Sequence, residues 1–203
     1  MTAQFSINPN ATTNAAGSFN VQSRGLIVGT AYPDPSTRFA LSGGILATTE
    51  TLPMFGGVGI GENIPGAGAK PTDSSLGGTI VRATGGTNLT GFSVFDQNYS
   101  AINAPESPVP QTLSGGLVNF YRLGSGARVA LAIDPSLASL EGGLITQQVS
   151  WDFTNQRVIA FDGTALPVKI LLVDIGNSWV PVYNAGTGFV TWNMSGSACV
   201  ALI

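Results

Sequence analysis

Histidine is missing from all 203 residues, cysteine occurs once, and charged side chains are few: 8 Lys/Arg and 11 Asp/Glu. Each shortage removes a class of chemistry. Histidine is the usual general base near neutral pH, so without it neither a Ser-His-Asp nor a Cys-His arrangement can be assembled within the chain. Zinc sites that use histidine are excluded with it, and one cysteine makes neither a four-cysteine site nor an intrachain disulfide. Cys199 lies in the apolar run Ala198-Cys199-Val200-Ala201-Leu202-Ile203, where a free thiol behaves as a small core hydrophobe. No catalytic residue, cofactor site or metal site is assigned, and the chain is not expected to be an enzyme.

The scarcity of charge has a different consequence. Charged residues make up 9 % of the chain, against roughly 25 % in an ordinary soluble domain. A surface of Ser, Thr, Asn, Gln, Gly and small apolar groups has little repulsion to keep copies apart, so self-association is expected. The basic residues are scattered from Arg24 to Lys169 without a stripe or cluster, which argues against a nucleic-acid partner. No apolar run approaches the length of a membrane span, so no membrane partner is expected. The N-terminus has neither a basic start nor a continuous apolar stretch and does not read as a signal peptide. Sequons at Asn10, Asn88, Asn98 and Asn193 are then chance products of a chain rich in Asn, Ser and Thr.

What the chain does have is glycine, 27 residues, and proline, 12, set between short apolar runs. Residues 1–23 lack periodicity and read as an N-terminal arm; residues 24–203 read as the body. Within the body, strands are expected at 25–30, 38–41, 45–48, 79–83 and 90–96, with Gly43-Gly44 as a break. A long Gly/Pro loop, with room for a short strand, is expected over 53–78 and a proline-rich connection over 101–115. Strands 117–123 and 127–133 flank Gly124-Ser125-Gly126 as a hairpin, and 146–151 and 157–161 flank residues 152–156 as another. A weak helical turn is expected at Pro135 to Glu141. Strands at 166–175, 179–183, 188–192 and 197–203 complete the series. Apolar residues on both faces of 166–175, with Val168, Ile170 and Leu172 on one and Leu171, Val173 and Ile175 on the other, predict a central strand covered on both sides, or a strand with one side covered by a neighbouring subunit. Strands this short and this regularly spaced predict an all-β fold, a β-sandwich or jelly-roll/barrel-like domain with an extended N-terminal arm.

Three patterns invite a functional reading. Gly56-Gly57-Val58-Gly59-Ile60-Gly61 has the glycine density of a phosphate loop, but it matches neither dinucleotide nor P-loop spacing and no long helix follows. Asp162 and Asp174 each follow an apolar strand, and paired carboxylates need no histidine. Their contexts, Asp162-Gly163-Thr164 and Asp174-Ile175-Gly176, do not match the aspartic-peptidase turn, though glycosidase or peptidase chemistry stays open as a third reading. Trp151, Trp179, Trp192, Tyr121 and Tyr183 could stack on sugars, but aromatic residues on strands more often fill a core or an interface.

Several segments, taken together, resemble a known family. They are Leu52-Pro53-Met54-Phe55-Gly56-Gly57-Val58-Gly59-Ile60-Gly61, then Leu89-Thr90-Gly91-Phe92-Ser93-Val94-Phe95-Asp96, then the run from Val118 to Ala132, preceded by a polar arm and a glycine-initiated strand. The pattern, spread over about 24–203, resembles the structural cement, or head decoration, proteins of tailed bacteriophages. That resemblance implies a virion structural protein, made in the bacterial host cytoplasm and bound to the outer surface of the capsid. Its partner would be the major capsid protein, and many symmetric copies would stabilise the head. Low surface charge and a β-rich body predict a homo-oligomer, a homotrimer first and a dimer next. The alternative is a carbohydrate-binding or receptor-binding β-sandwich module of a phage tail.

Overall fold

The computed structural model describes residues 11–12, 22–23, 25–32, 37–63, 78–95, 109–140 and 147–203. The fold is all-β. A closed barrel and a four-stranded sheet share one large core, and shorter pairings are set around them. Of the arm, the described residues are β1 (Ala11–Thr12) and β2 (Gln22–Ser23), which pair antiparallel with each other. The rest of 1–23 lies outside the described residues.

The barrel is built from β4 (Leu41–Leu46), β6 (Gly59–Asn63), β7 (Thr79–Arg82), β8 (Gly91–Ser93) and β10 (Leu117–Arg122). They close in the order β10-β4-β7-β6-β8, with β4 and β7 parallel and the other neighbours antiparallel. Strand alternation puts Leu46, Ile60, Ile80, Val118 and Phe120 into one buried cluster inside it. The expected break at Gly43-Gly44 is absent, because β4 runs through both glycines. A Cβ on Gly44 would stand 2.6 Å from the Ile80 side chain, so the small residue is a packing requirement here rather than a stop signal. The segment expected as a loop with at most a short strand, 53–78, holds two strands. It contains β5 (Met54–Phe55), which pairs with β9 (Gln111–Thr112), and then barrel strand β6; residues 64–77 lie outside the described set.

The sheet has the order β14-β15-β11-β3, from β14 (Lys169–Asn184), β15 (Phe189–Leu202), β11 (Arg128–Ala132) and β3 (Ala31–Tyr32). The expected hairpin across Gly124-Ser125-Gly126 is therefore not formed. β10 pairs inside the barrel while β11 pairs with β15, and the glycines, both at positive φ, carry the chain from one sheet to the other. The second expected hairpin is present as β12 (Val149–Asp152) and β13 (Arg157–Ala160), in register Trp151 to Val158. Pro135–Leu140 forms 3-10 turns.

Four strands expected near the C-terminus are two long ones. β14 lies at the sheet's edge, not its centre, and bulges between Ile170 and Leu172 and again near Asp174 to Val180. The first bulge breaks the period of two. Ile170 and Val173 enter the main core together, while Leu172, assigned above to the Ile170 face, is exposed.

One face of the sheet supplies Val129, Leu131, Cys199 and Ala201 to the main core, where they meet Phe92 and Tyr121 from the barrel wall and Trp151 from the β12–β13 hairpin. The other face packs Ala132, Ala198 and Val200 against Leu26 and Val28. Residues 25–30 make isolated bridges rather than the expected strand. Ile27 bridges Trp179 and Thr30 bridges Phe95, and the chain turns between them at Gly29, whose φ is +88°.

Candidate functional site

The glycine run at 56–61 is a packing seam. A Cβ on Gly56 would lie 2.7 Å from the Gly29 Cα, and one on Gly59 would lie 2.9 Å from Trp151 Nε1. These approaches let residues 25–30 and the β12–β13 hairpin sit directly on barrel backbone. Gln156 secures the second contact from the hairpin turn, where it holds φ at 53°. Its side-chain oxygen accepts the Gly59 N–H at 2.9 Å and its amide donates to the Phe153 carbonyl.

Beside this seam lies a cleft of about 510 Å³. Three parts of the fold line it: Phe55 and Arg82 from the barrel side, Asn155 to Arg157 from the hairpin turn, and Val180 to Tyr183 with Asn193 and Ser195 from the long β14–β15 ribbon. The charge of Arg157 is compensated within the protein. Arg157 Nη2 stands 2.9 Å from Asp134, with Asp152 at 3.9 Å from its Nε. Arg82 donates from Nη2 to the Pro53 carbonyl, lies 5.6 Å from the Phe55 ring centroid, and has Glu50 accepting its backbone N–H. Burial presses the Arg82 pKa down from the ordinary guanidinium value, against the attraction of Glu50. Asp134 is held below the usual carboxylate range by Ser136 first and then by Arg157. Burial works against ionisation of Asp152, but hydrogen bonds from Asn155 and Thr154 outweigh it and the net shift is downward. The result is a concavity of mixed polar and apolar lining, with fixed donors and acceptors and two aromatic residues, Phe55 and Tyr183.

The aromatic residues singled out from the sequence do not form one platform. Trp151 and Tyr121 are buried in the main core, and Trp151 meets Phe92 edge-on at 4.8 Å. Trp179 and Trp192 are 5.8 Å apart on the ribbon, with Phe95 5.9 Å from Trp192, and all three rings are half-buried. Only Tyr183 of the five lines the cleft. Nothing in the sequence marks Phe55, Asn155, Asn193 and Ser195 as parts of one site. They are ordinary residue types from three distant segments, around 55, 155 and 193–195, and only the fold brings these together.

The two aspartates also serve separate local networks. Asp162, beyond β13, accepts from Ser150 Oγ at 2.8 Å and from the Thr164 N–H, and these bonds, that of Ser150 first, lower its pKa. Asp174 sits on β14 and accepts from the fully buried Ser178 hydroxyl, which itself accepts the Leu26 N–H at 3.1 Å. This ties residues 25–28 to the ribbon. Burial pushes the Cys199 thiol up to about 12, far from a reactive thiolate. Among the described residues no three His, Cys, Asp or Glu gather as a metal site, and no helix is long and apolar enough to cross a membrane.

A second surface lies apart from the cleft. Ile45 and Leu117 are directly opposed across β4 and β10. They are 48 % and 38 % exposed, and Leu113 nearby is 58 % exposed. Their neighbours Leu46 and Val118 are buried inside the barrel, so Ile45 and Leu117 stand on its outer wall. Comparison with known protein families, characterised proteins and solved structures gave no match for the chain.

Proposed function

We propose that this protein is a virion structural protein, a decoration or cement protein that binds the outside of a major capsid shell and stabilises the head. The observation that carries the reading is the exposed apolar pair Ile45 and Leu117, directly opposed on two barrel strands of a sparsely charged all-β body. Apolar groups fixed on strands lose little conformational entropy on docking, which suits a contact repeated many times over a shell. The sequence resemblance to tailed-bacteriophage decoration proteins supports the same reading, and so does the lack of histidine. In this reading the chain is made in the bacterial host cytoplasm and works at the outer surface of the virion, as a homotrimer first and a dimer next. Each copy adds a modest contact and the shell sums them.

The test compares heads assembled with and without the chain by electron cryo-microscopy and by survival of osmotic shock. Symmetric density outside the shell and greater survival with the chain are expected. Heads that gain neither density nor resistance would rule the reading out.

A further inference from the structure

We propose that the cleft between the barrel, the β12–β13 turn and the β14–β15 ribbon is a binding site for an uncharged saccharide. This activity is distinct from capsid attachment. The volume of about 510 Å³ lies in the range of small-ligand sites, which run roughly 300–1,000 Å³. Its lining combines side-chain amides at Asn155 and Asn193, a hydroxyl at Ser195, and the aromatic rings of Phe55 and Tyr183. A sugar ring presents the complementary surfaces: hydroxyls that both donate and accept, and C–H faces that pack on aromatic rings.

Charge decides between ligand classes. Arg157 is occupied by Asp134 and Asp152, and Arg82 is turned to the Pro53 carbonyl and the Phe55 ring. An anionic ligand would have to compete with these carboxylates, whereas a neutral polyol meets a site whose donors and acceptors are already fixed. The location separates this site from assembly. The exposed apolar residues Ile45, Leu113 and Leu117 are not part of the cleft, so one face is suited to a protein shell and another to a soluble polar ligand.

The site also relocates the sugar-stacking idea that the aromatic residues first raise. Trp151 and Tyr121 are core residues, and Trp192 does not line the cleft.

The experiment is saturation-transfer NMR on the full chain with a panel of neutral mono- and disaccharides, followed by titration of any binder. Three variants are compared: Ser195→Trp, which fills the cleft from an exposed position; Tyr183→Ala, which removes an aromatic wall; and Trp192→Ala as the off-site control. At least one neutral sugar should bind the native chain. Ser195→Trp and Tyr183→Ala should each weaken that binding at least tenfold, with Trp192→Ala within twofold of native. Thermal midpoints report whether each variant remains folded. No binding by any sugar overturns the proposal, as does binding that Ser195→Trp leaves unchanged. Loss of head attachment in Ser195→Trp without any sugar binding by the native chain overturns it in favour of a polypeptide occupant. Head attachment retained in a variant that has lost sugar binding keeps the two functions apart.

Discussion

Arg122 and Glu62 close the barrel with a two-pronged ion pair: Nε lies 2.8 Å and Nη2 2.7 Å from the two carboxylate oxygens. Arg122 leaves β10 and Glu62 leaves β6, and the remaining Arg122 nitrogen donates to Ser42 on β4, so one guanidinium joins three barrel strands. The Glu62 side chain is only 8 % exposed. Its hydrogen bonds from Arg122 lower its pKa despite the opposing effect of burial. A carboxylate with a depressed folded pKa stabilises the fold fully above its unfolded pKa, and loses that contribution as pH falls through the folded value. Glu62→Gln should therefore destabilise by about 1–2 kcal/mol at pH 7, a figure kept low because Arg122 is half exposed and screened. The difference between native and variant should shrink below the ordinary glutamate range. Urea midpoints of both proteins from pH 7 down to pH 3 measure this. A difference that stays constant would mean that the charge of Glu62 is not what holds the seam. Asp134, Asp152 and Asp162 are also depressed, so both proteins lose stability in acid, and only the difference isolates Glu62.

The seam between the barrel and the β12–β13 hairpin should resist even one added methyl group. A Cβ at position 59 meets the Trp151 indole, which is itself locked edge-on against Phe92. Gly59→Ala should cost about 1–3 kcal/mol through overpacking. Gly85, whose Cβ would meet nothing within 4 Å, is the control, and Gly85→Ala should be nearly neutral. Thermal unfolding of the pair is sufficient, and equal losses would show that the close approach at Gly59 can relax.

The bulge in β14 makes a pattern-breaking prediction. Ile170 and Val173 are buried and Leu172 is 52 % exposed, so residues two apart do not share an environment here. Ile170→Ala should cost about 2–5 kcal/mol by leaving a cavity. Leu172→Ser should change stability by less than about 0.5 kcal/mol, as surface substitutions usually do. Denaturant midpoints again decide, and a large loss at Leu172 would mean that its face is covered in the isolated protein.

How much of this could be read from the residues depends on the range of the interaction. The β12–β13 hairpin is legible because its strands and turn are contiguous, and the apolar run from Ala127 to Ile133 is legible as a strand. The partner of that strand is not. Gly124 and Gly126 signal a turn, but whether the turn closes a hairpin or crosses to another sheet is decided by β15, some seventy residues later. Gly43 and Gly44 mislead because glycine marks both turns and close packing, and only the position of Ile80 distinguishes them. The parallel pairing of β4 with β7 and the assembly of the cleft from Phe55, Asn155, Tyr183 and Asn193 depend on contacts between distant segments. The all-β class is carried by local pattern alone.

The apolar patch supplies the prediction closest to function. Ile45 and Leu117 face each other across two barrel strands, and their exposure leaves apolar area that the isolated molecule does not bury. Replacing both with serine removes that area while the inward-facing neighbours Leu46 and Val118 stay in place. Strand propensity falls somewhat at both positions, so a stability loss of about 1 kcal/mol or less is expected. If the patch lies against a capsid shell, attachment should fall far more than stability. The area still exposed on these two partly buried side chains, at roughly 25 cal/mol per Å², is worth at most about 3–4 kcal/mol in the contact, so a loss on the order of tenfold to a hundredfold in affinity per copy is expected. Light scattering of the purified variant should give the same particle mass as the native chain, while sedimentation with heads should leave it in the supernatant. A variant that sediments with heads like the native chain places the capsid contact elsewhere. One that loses its own oligomeric state instead identifies Ile45 and Leu117 as the contact between copies.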